Sequence, residues 1–348
     1  MRDILPDIDR WLAQGEAVAL ATVVQTWGSS PRAPGAKMAL TAAGGMTGSV
    51  SGGCVEGAVF EEGVQALKTG RARLVHFGVA DETAWEVGLA CGGSLDVFVQ
   101  PLDAALYARV RDLLLAERAL AVATLIKGPA EQLGRALAVD DHDLAVGPLA
   151  EMSAAVSAAR AALAAGQSVV APVADGELFI EVLWPPPMLV VVGGVHTAIA
   201  LTALAKTLGY RTVVVDPRKA FGSEARFPHV DRLIQKWPDE ALAEIGLTRG
   251  AAVAMLTHDP KLDDPGLKAA LASPAFYVGA LGSQATQAKR RARLLADGLT
   301  EAQLDRLRGP IGLDLGGRTP EEVALAILAE IVAARHGRLR ARDPRWPA

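Results

Sequence analysis

The chain has 348 residues, of which 51% are hydrophobic and 21% are charged, and its formal net charge is −4. This length and apolar content predict two domains, each with its own buried core. The negative charge and an aromatic content of 5% argue against nucleic acid as a partner, because phosphate binding needs a basic surface and base stacking needs aromatic side chains.

The N-terminal segment, MRDILPDIDRWLAQGEAVAL, mixes charged residues and a proline into its first dozen positions. A signal peptide needs a continuous apolar segment there, so we expect a cytoplasmic protein. The two cysteines, Cys54 and Cys91, are too few for a disulfide framework and fit a reducing compartment.

Up to about residue 184 the pattern predicts an α+β domain, with short strand-like runs separated by glycine-rich loops and interrupted by helices. The strand-like runs are AVALATVVQTW, ARLVHF, SLDVFVQPL, LAVATLIKG, GRALAV and LFIEVLW. The helical stretches are YARVRDLLLAERA and the alanine-rich MSAAVSAARAALAAG. We find no internal repeats in the sequence.

The domain boundary is predicted at WPPPM, from Trp184 to Met188, because three consecutive prolines form neither a helix interior nor a central strand. We therefore divide the chain into an N-terminal domain, 1–185, and a C-terminal domain, 188–348. The segment from Met188 to Ala205 is apolar and close to membrane-spanning length. It changes period at GGVH, so a buried strand, a tight turn and a helix ending at Gly209 explain it better than a membrane span.

After the boundary, β-branched runs alternate with helical patterns. This alternation indicates an α/β fold with a Rossmann-like parallel sheet covered on both faces. The last helix has a full set of start signals, with Thr319 as N-cap, Pro320 at the first position and Glu322 completing a capping box. An apolar stripe on this helix is expected to pack on the sheet, and it consists of Val323, Ile327, Leu328, Ile331 and Val332.

Both cysteines lie in glycine-rich segments, GSVSGGCVEG from Gly48 to Gly57 and LACGGSLDV from Leu89 to Val97. Glycines accept positive φ and let a ligand approach the main chain, so these thiols suit contact chemistry better than core filling. The alternative is that each cysteine is a small buried hydrophobe. Glu56, two residues from Cys54, could shift the protonation of the thiol or accept its proton.

The segment TWGSSPRAPGAKM, from Thr26 to Met38, places hydroxyls and cationic groups between glycines and prolines. Hydroxyls, backbone amides and a forked guanidinium are the groups that phosphate recognition needs. Beside GSVSGGCVEG, this segment predicts a polar ligand held near a thiol. The segment combines Ser29, Ser30, Arg32 and Lys37, and its candidate ligand-binding residues are Gly28, Ser29, Ser30 and Arg32.

The turn after the first Rossmann strand reads Gly193, Gly194, Val195, His196. In nucleotide-binding Rossmann turns, glycine is required where the backbone meets the pyrophosphate, and the usual fingerprint needs glycine at position 195. Valine there argues against ordinary NAD binding. Asp216 closes the second strand where a ribose-binding acid belongs, although a strand-end cap in a domain without a nucleotide explains it equally well.

The segment LTHDPKLDD places His258, Asp259 and Asp263 just after a strand, at the edge where open α/β sheets bind ligands. These groups could ligate a metal or move protons, although Asp259 before a proline is also a common turn former. Gly282 and Ser283 begin a helix whose N-terminus could hold an anion. The basic run that follows is expected to be a solvated helix face, formed by Lys289, Arg290, Arg291 and Arg293.

Taken together, these motifs resemble the XdhC/CoxI family of accessory factors for molybdenum hydroxylases such as xanthine dehydrogenase and carbon monoxide dehydrogenase. The motifs are GSSPR with APG, SGGCVEG, CGG, VDPR, RFP, THD with LDD, GALGS and PIGLDLGGRTPEEVALAILAE, in this order. The resemblance covers both halves except the region from about Leu102 to Trp184. It implies a chaperone, rather than an enzyme with its own substrate, that binds molybdenum cofactor, supports its sulfuration and helps insert it into the apoenzyme.

By this resemblance, Cys54 and Cys91 would approach the metal, a partner for soft sulfur ligands, or carry sulfur. Catalytic contributions would come from these two thiols and from Glu56, His258 and Asp259. The polar part of the cofactor would lie against Gly28, Ser29, Ser30, Arg32, Gly52 and Gly53. The Rossmann half would add Gly193, Gly194, His196, Asp216, Arg218, Gly282 and Ser283.

The implied partners are a molybdenum hydroxylase apoenzyme and a cysteine desulfurase, and the implied assembly is a homodimer. One alternative is an NAD(P)-dependent oxidoreductase, favoured by the βαβ pattern and Asp216 but not by Val195. Another is a sulfurtransferase acting through Cys54. A zinc site built from both cysteines is disfavoured, because neither belongs to a CxxC pair.

Overall fold

The computed structural model describes residues 1–30, 32–78, 93–142 and 144–339. The chain divides into two compact units, Met1–Pro185 and Pro186–Ala348. Three consecutive prolines stand at this division, so neither a helix nor a ladder of backbone hydrogen bonds runs through it.

The first sheet of the first unit is antiparallel and follows a short helix. Helix α1 spans Leu5–Ala13, and the strands are β1 (Val18–Trp27), β2 (Lys37–Thr41), β3 (Met46–Gly48), β4 (Arg73–Phe77) and β5 (Ser94–Pro101), with α2 (Glu56–Thr69) between β3 and β4. Within the described residues the strand order is β3-β2-β1-β5-β4. Helix α2 packs on one face of this sheet, where its buried residues join the core of the strands.

The second sheet has the same construction. Helix α3 (Ala104–Leu115) is followed by β6 (Leu120–Lys127), β7 (Ala136–Asp140), β8 (Ala145–Val146), α4 (Ser153–Ala165), β9 (Val169–Val173) and β10 (Gly176–Leu183). The strand order among the described residues is β8-β7-β6-β10-β9, the order of the first sheet with every strand number raised by five. Residues 5–101, the first copy, and residues 104–183, the second copy, therefore form an internal repeat.

The pairing register is also repeated, so that residues of the first copy have counterparts in the second. Both central strands carry a β-bulge at the same place, since Val24 in β1 and Ile126 in β6 are each skipped by the pairing. Both helices end at a glycine with positive φ, Gly70 after α2 and Gly166 after α4. The counterparts used below are Thr22 and Thr124, Lys37 and Ala136, Phe98 and Phe179, and Gln100 and Glu181.

The sequence predicts no internal repeats, and this prediction is wrong, because the fold of the first unit is repeated. Segment VALATVVQ of β1 and segment LAVATLIK of β6 share only two alanines and a threonine in register. What the two copies share is the position of apolar side chains on each strand, which many sequences satisfy. All six strands and both helices that the sequence predicts in this unit are present in the structure. The structure also contains elements that the sequence does not predict, namely α1, α2, β2, β3, β8 and β9.

The two sheets pack against each other through residues from both copies. One apolar cluster at this contact consists of two matched pairs, Val24 with Ile126 and Phe98 with Phe179. Beside this cluster lies a cavity of about 70 Å³, whose polar walls include Thr22, Thr124 and Gln100. The interface is therefore built from equivalent positions of the repeat.

One buried ion pair breaks the equivalence of the two copies. Lys37 Nζ lies 2.8 Å from Glu181 Oε2 and donates a hydrogen bond of 3.0 Å to Thr22 Oγ1. Both charged side chains are less than a tenth exposed. At the counterpart positions the chain has Ala136 and Gln100, so the ion pair of one half of the interface is replaced by two uncharged residues in the other half.

In the described part of the second unit, six parallel strands form one sheet. The strands are β11 (Met188–Val192), β12 (Arg211–Val215), β13 (Arg232–Ile234), β14 (Ala251–Met255), β15 (Tyr277–Ala280) and β16 (Leu307–Arg308). The helices are α5 (His196–Thr207), α6 (Pro238–Ile245), α7 (Pro260–Ala272), α8 (Gln284–Ala296), α9 (Glu301–Leu304) and α10 (Pro320–Arg335). The strand order β13-β12-β11-β14-β15-β16 is the Rossmann order, which confirms the predicted fold class.

The apolar segment from Met188 to Ala205 consists of β11, a turn and α5, as predicted. Among the described residues, no helix is long and apolar enough to cross a membrane. The predicted capping box of α10 is also present, with Thr319 Oγ1 accepting from the Glu322 N–H and Glu322 Oε2 accepting from the Thr319 N–H. Ile327 and Ile331 bury the apolar stripe of this helix in a core of the unit.

We predict that Lys37→Ala lowers the free energy of unfolding by about 3–5 kcal/mol, because it leaves the Glu181 carboxylate buried without its cation. The double variant Lys37→Ala/Glu181→Gln reproduces the neutral Ala136–Gln100 arrangement of the other copy and should recover more than half of this loss. Urea denaturation measures both values.

The exposed pair Lys127–Glu177 is the matched control for this test, since Lys127→Ala should cost less than about 1 kcal/mol. A double variant that is as unstable as Lys37→Ala alone would contradict the equivalence of the two copies.

Candidate functional site

Two described loops leave the first sheet at one edge. The register places the end of β1, the start of β2, the ends of β3 and β4 and the start of β5 at this edge. We call it the loop edge, and its described segments are the serine loop, 28–36 without residue 31, and the thiol loop, 49–55. Cys91 lies outside the described residues, so its predicted position near Cys54 stays a prediction.

The serine loop contacts both of its neighbours. Arg32 Nε donates a hydrogen bond of 3.4 Å to the carbonyl oxygen of Ser49 in the thiol loop, 17 positions further along the chain. On the other side, Gly93 packs so closely that a Cβ on it would lie 2.7 Å from the Ser29 carbonyl group. The structure therefore brings the predicted binding residues of the serine loop, Gly28, Ser29, Ser30 and Arg32, together with the thiol loop.

The thiol loop is folded around the carboxylate of Glu56, the first residue of α2. Glu56 Oε1 accepts hydrogen bonds from Ser49 Oγ at 2.7 Å and from the backbone N–H groups of Val50, Ser51 and Gly52 at 3.2, 2.9 and 3.0 Å. Glu56 Oε2 accepts from the Gly53 N–H at 2.8 Å and from the Ser51 hydroxyl. The backbone can follow this path because Gly52 and Gly53 have φ values of 80° and 120°.

These contacts change the acidity of Glu56. Burial alone would raise its pKa, but the hydrogen bonds from Ser51 and Ser49 and from the backbone outweigh burial and lower the pKa of Glu56 to about 2. A carboxylate with both oxygens engaged and this low pKa is a poor proton acceptor. The geometry thus departs from the predicted proton-accepting role of Glu56 and favours a positioning role, in which the carboxylate fixes the loop that carries the exposed Cys54.

We predict that Glu56→Gln destabilises the protein in a pH-dependent way. Because the folded pKa of Glu56 is depressed, its stabilising contribution is fully present above the ordinary pKa of 4.5 and is lost as pH falls towards 2. The difference in melting temperature between wild type and variant should be constant from pH 7 to 5 and shrink from pH 4.5 downward. A difference that grows on acidification would contradict the assignment.

A second candidate site lies at the carboxyl ends of the Rossmann strands. A cavity of about 480 Å³ is lined there by Val195, Arg218, Leu256, Thr257, His258, Asp259 and Pro260. The structure thus brings together three residues that the sequence predicts for this edge, Arg218, His258 and Asp259. Asp259 also acts as the N-cap of α7, because its Oδ1 accepts from the Lys261 N–H at 3.0 Å, which agrees with its turn-forming alternative.

Asp216 is engaged by the protein itself. Its Oδ2 accepts from the Gly194 N–H at 2.8 Å and from Arg218 Nη2 at 2.8 Å, and its Oδ1 accepts from the Arg218 N–H and Nε at 3.0 and 2.9 Å. Burial would raise its pKa, but the Arg218 guanidinium and the two N–H groups hold the pKa of Asp216 below its usual value. Of the two sequence-based alternatives, this geometry favours the strand-end cap over the ribose acceptor.

Gly193 and Gly194 are required by neighbouring protein groups. A Cβ on Gly193, whose φ is 107°, would lie 2.5 Å from Thr257 Cγ2. A Cβ on Gly194 would lie 2.4 Å from the Phe221 carbonyl oxygen. The helix that follows begins at His196, which is exposed, and Val195 precedes it. The glycines therefore allow close packing of the segments that follow β12 and β14, a reason for glycine that needs no pyrophosphate.

At the end of the next strand, Gly282 has a φ of 128° and Ser283 is the N-cap of α8, where its Oγ accepts from the Thr286 N–H at 3.3 Å. The sequence predicts that the basic residues of this helix are exposed to solvent. This prediction is wrong for Arg290, which is 1% exposed. Arg290 donates to Asp263 Oδ2 at 2.8 Å and to the Leu281 carbonyl oxygen at 3.1 Å.

Arg290 and Leu294 are the buried residues of α8, one turn apart, so helical spacing from Leu294 is the signal that identifies Arg290 as inward-facing. Through Asp263, which accepts from the Thr257 hydroxyl, Arg290 joins the ends of two neighbouring strands. This network fixes the positions of the segments that follow the carboxyl ends of β14 and β15. Among the described residues, no group of three or more His, Cys, Asp or Glu side chains is placed to hold a metal ion.

We predict that Gly194→Ala lowers the free energy of unfolding by about 1–3 kcal/mol, because the added methyl group overlaps a backbone oxygen. Gly57→Ala on α2 is the matched control, since nothing lies within 4 Å of its added Cβ and the change should be neutral or stabilising by up to about 1 kcal/mol. Thermal unfolding of both variants tests this, and equal melting temperatures would contradict the packing role of Gly194.

Comparison with family models agrees with these two units. Residues 189–331 match the model described as XdhC Rossmann domain, and residues 11–78 match the model described as XdhC and CoxI family, so that together the matches span more than half of the chain. The chain belongs to the XdhC and CoxI family. The resemblance inferred from the ordered motifs is thereby confirmed, and the second match lies within the copy that carries the thiol loop.

Relatives of this XdhC and CoxI family member match over nearly the whole chain. A Bacillus subtilis protein named as a probable xanthine dehydrogenase component is 29% identical over 94% of this chain and 96% of its own length. The molybdenum cofactor insertion chaperone PaoD of Escherichia coli is 27% identical over 93% of this chain and 85% of its own. A crystal structure described as a xanthine dehydrogenase from Bacillus halodurans has the same fold, with a TM-score of 0.75 and 24% sequence identity. The match covers 99% of this chain and 98% of the other chain.

Proposed function

We propose that this protein is a chaperone that binds molybdenum cofactor and delivers it to a molybdenum hydroxylase. The observation that carries the proposal is the exposed thiol of Cys54, held on a glycine loop by the Glu56 carboxylate and joined to the serine loop through Arg32. The family membership supports the proposal, as does the name of the relative PaoD.

The residues at the loop edge have the chemistry that this cargo needs. Molybdenum prefers soft sulfur ligands, and the side chain of Cys54 provides such a sulfur. The cofactor also carries a phosphate group, for which Ser29, Ser30 and Arg32 offer hydroxyls, backbone amides and a guanidinium. We propose that these residues hold the anionic part of the cargo, with Gly52 and Gly53 letting it approach the backbone.

The proposed function requires a client enzyme and a source of sulfur. The client is a hydroxylase of the xanthine dehydrogenase type, an assignment supported by the name of the Bacillus subtilis relative. We further propose that a cysteine desulfurase supplies sulfur, that Cys91 adds a second thiol at the metal and that the protein acts as a homodimer. Detection of a persulfide on Cys54 by mass spectrometry, after incubation with a desulfurase and cysteine, distinguishes a sulfur-carrying Cys54 from one that only binds metal.

For the Rossmann unit we propose a binding role that does not involve nicotinamide. A nicotinamide dinucleotide would use Asp216 and the Gly194 N–H, but here the Gly194 N–H donates to Asp216, and Asp216 also accepts from Arg218. The cavity beside Arg218 and His258 is large enough for a part of the cofactor, and His196, Gly282 and Ser283 lie at helix starts on the same edge of the sheet.

We predict that wild-type protein binds molybdenum cofactor at close to one equivalent and that Cys54→Ser weakens binding more than tenfold, because a hydroxyl is a poor ligand for a soft metal centre. Co-elution on size exclusion with molybdenum analysis measures this. Met152→Ala is the matched control, since it removes an exposed sulfur from the second copy. Absence of binding by folded wild-type protein, or equal binding by Cys54→Ser, would refute the proposal.

A further inference from the structure

The loop edge has an aromatic group that the proposed function has not used. Strand β1 ends at Trp27, directly before Gly28 of the serine loop, and this tryptophan is 43% exposed. Its ring centroid lies 5.9 Å from that of His76 on β4, with the two planes inclined by 56°. A large aromatic side chain that remains this exposed next to a ligand-binding loop offers a face on which a planar ligand can stack.

His76 beside it is held in a defined orientation. Its Nδ1 lies 2.7 Å from Asp96 Oδ1 on the neighbouring strand β5. Because an ionised carboxylate can only accept, the neutral imidazole carries its proton on Nδ1 and leaves Nε2 as an acceptor. The His76 side chain is 61% exposed, and Nε2 faces the space at Gly78, where a Cβ would lie 3.0 Å from it.

The internal repeat shows that the fold does not need these side chains. The second copy builds the same strands with the same register and the same bulge. At the paired positions of His76 and Asp96 it has Pro172 and Glu177, and two residues past the end of β6, in line with Trp27, it has Pro129. Glu177 there forms an exposed ion pair with Lys127 instead of orienting an imidazole. The tryptophan and the histidine–aspartate pair are thus features of the copy that carries the thiol loop.

We infer that Trp27 and His76 form a subsite for a planar heterocycle with N–H donors: the indole provides a stacking face, His76 Nε2 accepts a hydrogen bond, and Asp96 orients the imidazole. The choice of heterocycle rests on the proposed function, in which the ligand is the pterin ring of molybdenum cofactor. The serine loop connects this subsite to the thiol loop, since it begins at Gly28 next to Trp27 and reaches Ser49 through Arg32.

The test uses the full chain and a pterin without metal or phosphate, 6-hydroxymethylpterin, so that the thiol and the phosphate-binding groups are not involved. Trp27→Ala should weaken pterin binding about tenfold or more, as expected for the loss of one stacked ring, and Trp27→Phe should retain most of it. Trp237→Ala, at a tryptophan of similar exposure in the second unit, is the control and should bind as wild type does.

The histidine is tested by two substitutions that separate its acceptor from its ring. His76→Phe keeps an aromatic ring but removes the acceptor and should weaken binding several-fold, whereas His76→Gln supplies an amide oxygen and should restore part of it. Asp96→Ala should act in the same direction as His76→Phe. Melting temperatures close to the wild-type value show that each variant is folded.

The outcomes separate this inference from the proposed function. If folded wild-type protein binds no pterin, or if Trp27→Ala binds it as wild type does, the subsite is refuted, even when the protein carries complete cofactor through Cys54. If pterin binding depends on Trp27 and His76 while complete cofactor does not bind, the subsite stands and the chaperone proposal fails.

Discussion

The bonds between the Glu56 carboxylate and the thiol loop are the interaction on which the candidate site depends. A glycine-rich loop at the start of a helix exposes several backbone N–H groups that regular structure does not satisfy. Here Val50, Ser51, Gly52 and Gly53 all donate to one carboxylate. Cys54, the next residue, is therefore presented to solvent by a loop whose shape is fixed before any ligand arrives, which reduces the entropy lost on binding.

The internal repeat explains which parts of the first unit serve the fold and which serve the site. Both copies contain the β-bulge, the glycine at the end of the helix and the matched apolar pairs between the sheets. Among the described residues, a carboxylate-bound loop precedes the helix of the first copy, whereas the second copy has 147–152 at this place, with Leu149 buried. The second copy thus repeats the strand order of the first without its thiol loop, and its loops serve as controls for those of the first.

Sequence patterns predict the second unit better than the first. Continuous β-branched runs and a complete capping box determine strands and helices locally, so the Rossmann sheet and the start of α10 follow from the sequence. Helix α2 escapes prediction because Gly57 and Gly63 weaken its helical pattern, although Gly63 is needed where a Cβ would lie 2.5 Å from Leu40. The repeat escapes because packing constrains the size and polarity of side chains, not their identity.

For the site, residue chemistry identifies the serine and thiol loops, but not the partners of each side chain. The acids Glu56 and Asp216 are conspicuous in the sequence, yet their roles depend on N–H groups and an arginine that only the folded chain brings to them. His76 and Asp96 are 20 residues apart and meet through strand pairing, which local sequence does not reveal.

The most direct test of this account is hydrogen–deuterium exchange with and without molybdenum cofactor. We predict slower exchange in the serine loop and the thiol loop when cofactor is bound, with no change in the equivalent loops of the second copy, 128–135 and 147–152. Protection of the second copy's loops, or no protection of the first copy's loops under conditions where cofactor is bound, would contradict the central claim that the loop edge binds the cofactor.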